Sequence, residues 1–117
     1  MATPPAQPPK VNWAQVLSDA TAAAGKVLGK NWNIVSVGAK NQINNLTNTA
    51  KYIAANKNKM TKSEYESIVS DQALSLQTVL LIYKDIDIAT AEQAVQAVWT
   101  VIGGALQTAA GVAIKIK

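Results

Sequence analysis

Four residue types are missing from this chain of 117 residues: cysteine, histidine, arginine and phenylalanine. Without cysteine there are no disulfides and no thiolate metal ligands, and without histidine the usual general base is absent. The net charge of +4 comes entirely from lysine, which lacks the planar fork that binds phosphate and guanine bidentately. We therefore expect a protein that is not an enzyme and that has no cofactor, metal ion or small-molecule substrate. Nucleic acid is a disfavoured partner.

Proline is confined to the first nine residues, where it occurs four times. This composition predicts an extended or disordered arm over residues 1–10. Within the arm, Pro5, Pro8 and Lys10 weakly match the peptide ligands of aromatic grooves. The arm has no apolar stretch of the kind found in secretory signal peptides. The sequence therefore favours the cytoplasm or a larger assembly, with membrane association left open.

The rest of the chain is free of proline, which permits long helices. Its apolar side chains recur at intervals of three and four residues, a pattern typical of helices that bury one face. A chain of this length suits one hydrophobic core. The sequence predicts an all-α fold, a small bundle of about four helices in a single domain over 11–117. The expected helices are 12–29, 33–56, 62–87 and 91–114.

Local signals support several of these boundaries. Asn12 is a good N-cap and Gly29 a good helix terminator. Thr61 and Glu64 have the spacing of a capping box, so a helix is expected to begin at residue 62. A second such pattern begins at Thr90. No glycine or proline separates the third helix from the fourth, so the sequence also allows them to fuse into one long rod.

Charge is divided unequally along the chain. Residues 1–62 hold eight lysines and one aspartate, a balance of +7, whereas residues 63–92 hold six acidic residues and one lysine, a balance of −5. Opposite signs would meet through antiparallel packing within one chain or head-to-tail packing between chains. The basic half also offers a candidate face for an anionic partner or lipid surface, although a solvated surface is the simpler interpretation. Its lysines are Lys26, Lys30, Lys40, Lys51, Lys57 and Lys59.

The segment 93–114 has no charged residue and is followed by Lys115 and Lys117. Its length is compatible with a membrane-spanning helix. Its amide side chains, however, are costly in hydrocarbon unless a partner satisfies them. The segment is therefore expected to form an uncharged amphipathic helix that is compatible with a membrane but is not a convincing span.

One stripe of this predicted helix carries amides, a threonine and glycines where a water-facing stripe would carry lysine and glutamate. Such residues permit close approach and hydrogen bonding between helices. The stripe is a candidate site of self-association, of contact with another helix of the same chain, or of pore lining; the alternative is a weakly polar face in water. Its members are Gln93, Gln96, Thr100, Gly103, Gln107 and Gly111.

Together these features favour a non-enzymatic structural protein that self-associates, or packs on other assembly proteins, in a virion, filament or secretion apparatus. One alternative is a membrane-inserting, holin-like or pore-forming protein that uses its C-terminal helix. Another is a small adaptor that binds through its arm or its basic half. The content of asparagine, glutamine and threonine is typical of phage and bacterial accessory proteins, but no motif indicates a family.

Overall fold

A computed structural model of the protein describes residues 11–116, and the predicted arm of residues 1–10 lies outside them. Within the described range the chain is all-α and has no β-strand, as predicted. The four helices are α1 (Trp13–Leu28), α2 (Trp32–Asn56), α3 (Lys62–Leu81) and α4 (Ile88–Ala110). Short 3₁₀ turns at Gly29–Asn31 and Lys57–Lys59 join α1 to α2 and α2 to α3.

The first three helices begin close to where the sequence places them. Local side-chain caps start α1 and α3, whereas α2 follows a 3₁₀ turn directly and has no side-chain cap. The Asn12 side chain accepts a hydrogen bond from the Gln15 amide at 3.1 Å. Thr61 and Glu64 form both bonds of a capping box, each 3.1 Å long. These bonds satisfy amides that have no partner within the first helical turn. The predicted starts at residues 12, 33 and 62 are therefore confirmed to within one residue.

The helices form an antiparallel bundle. Each packs on the next along the chain, α1 closes the ring by packing on α4, and α2 also contacts α4 across the centre. The short connections require successive helices to run in opposite directions. Because α1 presents small side chains such as Ala20 and Ala24 at its buried positions, it can approach its neighbours closely. The largest fully buried side chains come from α2, α3 and α4 and are Ile43, Leu46, Ile53, Leu76, Leu80, Ile102 and Leu106.

The predicted third helix, 62–87, is too long. The helix ends at Leu81, and residues 82–87 form a turn before α4 begins at Ile88. The fused rod is therefore wrong. Ile86 is buried in the core, and Asp87 caps α4 by accepting a hydrogen bond from the Thr90 amide at 2.7 Å. The chain has to reverse before these two residues so that both can reach their partners.

The predicted fourth helix, 91–114, is displaced at both ends: it begins at Ile88 and ends at Ala110. Gly111 adopts φ +68°, the left-handed conformation in which many helices terminate. Residues 111–116 are not helical, so the uncharged segment 93–114 is not one helix. None of the described helices combines the length and the apolar character needed to cross a bilayer.

Candidate interaction surfaces

After α4 the chain turns back as an extended segment, residues 111–116, which we call the C-terminal strap. Its side chains alternate between inside and outside. Ala113 and Lys115 are exposed, whereas the apolar side chains between and beside them are buried. This period of two is that of an extended chain lying on an apolar surface. The buried side chains are Val112, Ile114 and Ile116.

Side chains of the bundle hold the backbone of the strap. Trp99 donates from Nε1 to the Ile114 carbonyl at 2.7 Å, and Gln96 donates from Nε2 to the Ile116 carbonyl at 3.2 Å. Residue numbers fall along α4 as they rise along the strap, so the strap runs antiparallel to α4. At the base of the strap, Lys57 donates from Nζ to the Ala110 carbonyl at 2.6 Å. That bond satisfies one of the last carbonyls of α4.

The strap lies beside the seam between α3 and α4. Lys115 and Ile116 line a surface groove together with Ser70 and Ala73 of α3 and Val95 of α4. The strap therefore adds a fifth packed element to a seam that two helices alone would leave more open. We call the surface it occupies the strap groove.

A glycine makes room for the aromatic ring that anchors the strap. A Cβ atom at residue 103 would lie 2.9 Å from two atoms of the Trp99 indole. Real Cβ atoms do not approach that closely, so the ring lies against α4 only because residue 103 is Gly103. Trp99 is left only 5% exposed, and its N–H points to a carbonyl, as buried indoles require.

The six residues of the predicted stripe on α4 do not share one environment in the structure. Gln96 and Gly103 take part in seating the strap, which is a contact within the chain. Gly111 lies beyond the helix and begins the strap. The remaining three members, Gln93, Thr100 and Gln107, are exposed on α4. The sequence therefore indicated a contact surface on α4 but not its occupant, and association of this stripe with another copy stays a prediction.

A second surface lies at the opposite end of the bundle, where the connection between α1 and α2 meets the turn between α3 and α4. Asn31 and Ile34 line a small cavity of about 60 Å³ together with Tyr83 and Ile86, which brings these two connections together. Five of the eight large apolar side chains that are exposed in the described chain lie in the turn after α3 or on the helix ends beside these two connections. We call them the end surface: Ile34, Val37, Leu81, Ile82 and Ile88.

The end surface is free of charge at its centre and balanced at its rim. Residues 31–39 and 72–83, which supply four of its five side chains, contain no charged residue. Lys30 and Lys84 of one sign and Asp85 and Asp87 of the other flank these stretches along the chain, and all four are exposed. An uncharged apolar patch with a polar rim is typical of a surface that contacts another protein.

The predicted basic face is less compact. Lys26 and Lys51 are exposed on α1 and α2, and Lys40 lies near Thr21 at a groove between those helices. Lys57 is instead bonded to the end of α4. Lys30 and Lys59 are exposed in the connections that follow α1 and α2.

Opposite charges are brought together only once within residues 11–116. The single ion pair there joins Lys62 and Glu66 at 3.7 Å, one helical turn apart and largely exposed. Such pairs contribute little to stability. The basic and acidic halves of the chain are thus not joined by further ion pairs between described residues, and an anionic partner for the basic face stays a prediction.

In the described part of the chain, no three acidic side chains converge where they could share a metal ion. Every buried side-chain nitrogen and oxygen there has a hydrogen-bond partner. Comparisons with protein-family models, with curated proteins and with solved structures find no significant match to this chain.

Proposed function

We propose that this chain is a non-enzymatic assembly protein that packs against other copies of itself through the end surface. The observation that carries the proposal is the exposure of apolar side chains at one end of the bundle. Val37 is 77% exposed, Ile82 72% and Ile88 62%. Single exposed apolar residues are ordinary, but a group of five around an uncharged centre favours a contact surface.

The size of the end surface favours a weak contact that depends on concentration. A contact between the end surfaces of two copies buries ten such side chains, each 38–77% exposed beforehand, which contributes roughly 9 kcal/mol at about 1.5 kcal/mol for each full burial. Association costs about 4–15 kcal/mol in lost translational and rotational freedom. The two terms are of similar size, so copies should be mostly monomeric when dilute and associated when crowded, as in an assembly whose other contacts raise the local concentration.

The surface that carries the proposal differs from the one that the sequence indicated. On α4, Val98, Ile102 and Leu106 are buried in the core, so the apolar face of this helix is already used for folding. The end surface has no cover within the described chain. This supports assembly through the end of the bundle in preference to association or membrane insertion through α4.

The test is the mass of the protein in solution as a function of concentration. The wild-type mass should rise above the 12.4 kDa of one chain, as measured by light scattering coupled to chromatography. Val37→Lys should remove the part of the rise that the end surface contributes, because it buries a charge in this contact. Tyr52→Lys is the matched control: Tyr52 is also exposed on α2 but lies about 22 Å further along the helix.

A wild-type protein that stays monomeric at millimolar concentration and low salt would contradict the proposal. So would equal loss of association in Val37→Lys and Tyr52→Lys, because the contact would then not be at the end surface. In the first case the adaptor hypothesis becomes the better one, with the end surface as the site for a different protein. Circular dichroism of both variants establishes that the bundle is intact.

A further inference from the structure

We propose that the C-terminal strap is exchangeable, so that the strap of one copy occupies the strap groove of a second copy placed end to end with it. The inference rests on the proposed self-association and gives it a second contact, at the end of the bundle opposite the end surface. The partner is a second copy of this chain, and the exchanged element is the segment 111–116.

The structure itself identifies what the strap groove binds. It takes an extended segment with apolar side chains at every second residue, and it holds that segment through carbonyl oxygens that accept from Trp99 and Gln96. These requirements are met in full by the identical segment of another copy. An exchanged strap would therefore make the same buried contacts and the same hydrogen bonds as the strap of the chain's own bundle.

The path of the chain makes the exchange geometrically simple. The strap reverses direction at one residue, Gly111, which has φ +68°. If Gly111 changes to an extended conformation, the strap continues away from its own bundle and past the end of α4. Six extended residues span about 20 Å. In a copy related by a two-fold axis at that end, the strap groove runs onward in the same direction, so the strap can enter it.

Exchange at this end also determines what kind of assembly can form. A two-fold contact uses the same surface on both copies and closes on itself. This chain would have one such contact at the strap and another at the end surface. Because the two lie at opposite ends of the bundle, alternating them produces an open linear polymer. Either contact alone gives a dimer.

A substitution at Gly111, the residue where the strap reverses direction, should affect only the unexchanged form. Gly111→Val places a β-branched residue where φ is positive, a conformation that such residues rarely adopt. The exchanged form needs no positive φ there, so the equilibrium should shift toward exchange by about tenfold. Gly104→Val is the matched control, because Gly104 lies in α4 with ordinary φ and open space around its Cα. It should leave the exchanged fraction unchanged.

Cross-linking tests the exchange directly, since the chain has no cysteine of its own. Ser70 and Lys115 line the same groove. Copies with Ser70→Cys and copies with Lys115→Cys are unfolded together, refolded at high concentration and treated with a short thiol cross-linker. A linked product of twice 12.4 kDa is expected. Ser18→Cys, on the α1–α2 side of the bundle, replaces Ser70→Cys in the control mixture and should give no product.

A chain with both Ser70→Cys and Lys115→Cys should link within itself, which verifies that the strap lies in its groove. If this chain links and the mixture of single variants does not, exchange is overturned. Repeating the mixture with Val37→Lys in both variants shows whether exchange needs the end surface. A linked product in both mixtures, together with a wild-type mass that does not rise with concentration in protein that has not been unfolded, would leave exchange standing and remove the proposed end contact. A wild-type mass that rises with concentration and is lowered by Val37→Lys, with no linked product in either mixture, would remove exchange alone.

Discussion

The two ends of the bundle differ in the exposure of their apolar side chains. Where the strap runs back from the end of α4 toward Gln96, Val112, Ile114 and Ile116 are at most 8% exposed, because they lie along the seam between α3 and α4. At the other end, Val37 and Ile82 are more than 70% exposed. One end is therefore completed by the chain itself, and the other leaves apolar surface open to a partner.

The difference shows that four helices do not bury all the apolar surface of this small protein. A chain of this size has much surface for its volume. Beyond the end of α4, the six extended residues of the strap cover apolar surface, and Trp99, Gln96 and Lys57 hold them there. No equivalent segment within the described residues covers the end surface. Substitutions in the strap and in the side chains that hold it should therefore change the free energy of unfolding. Substitutions at the end surface should change self-association.

Trp99→Ala should have the largest effect on stability. The substitution removes a nearly buried indole and the donor that holds Ile114. Large-to-small changes of this kind cost about 3–5 kcal/mol. Ile82→Ala at the end surface should change the free energy of unfolding by less than about 0.5 kcal/mol, because its side chain is mostly in water already. Urea denaturation of both variants measures the two changes in the free energy of unfolding. Equal decreases would show that the two ends of the bundle do not differ in this way.

Gly103→Ala should have the next largest effect, through the same aromatic ring. The added methyl group would lie 2.9 Å from the Trp99 indole, and overpacking of this kind costs about 1–3 kcal/mol, which outweighs the roughly 1 kcal/mol that alanine gains in helix propensity. Gly104→Ala adds the same atom to the next residue of α4, where nothing lies within 4 Å. It should stabilise the helix by about 1 kcal/mol. Two adjacent glycines should therefore respond to alanine with opposite signs in thermal unfolding.

A destabilised Gly104→Ala would show that glycine is needed there for some other contact. A neutral Gly103→Ala would show that the indole can move aside, and the strap would then not depend on its position. In that case the buried Trp99 would be ordinary core packing. The hydrogen bond to Ile114 would contribute little.

The sequence predicts the helical class and most helix starts because those depend on nearby residues. The capping box at Thr61 joins residues three apart, and the apolar periodicity of α2 is visible without knowledge of its neighbours. The C-terminal boundaries of α3 and α4 are less accessible. The turn after Leu81 contains no glycine or proline, and it forms because Ile86 is buried and Asp87 caps the next helix.

Two local signals indicate the strap, although the predicted helix 91–114 covers most of it. The spacing of four places Gly111 on the helical stripe, but a glycine at that position is also a common helix terminator. The residues after it, Val-Ala-Ile-Lys-Ile, alternate between apolar and other side chains, which is an extended pattern. No sequence pattern distinguishes Trp99, because its role depends on a carbonyl fifteen residues away. The end surface likewise depends on which connections meet in space.

Lys57→Met should weaken the base of the strap by a smaller amount. Lys57, in the connection between α2 and α3, donates to the Ala110 carbonyl at 2.6 Å, and methionine keeps much of the aliphatic stem without the donor. A single hydrogen bond of this kind contributes about 1 kcal/mol. Lys59→Met is the control, because Lys59 is exposed two residues away. If both variants lose the same stability in urea, the bond to Ala110 is not stabilising.

The smallest predicted effect concerns Asp87, which lies beside the end surface, and it appears only at acidic pH. The Thr90 backbone amide, helped by the Thr90 hydroxyl, lowers the pKa of Asp87 below its ordinary value of 3.8. A carboxyl whose pKa is lower in the folded state stabilises it fully above the ordinary value, and that contribution disappears as the pH falls through the lowered pKa. Asp87→Asn keeps a capping oxygen but does not titrate. The difference in melting temperature between wild type and Asp87→Asn should be constant from about pH 5 to 8 and should shrink only below about pH 4. A difference that instead changes near neutral pH would mean that another group near the end surface is titrating.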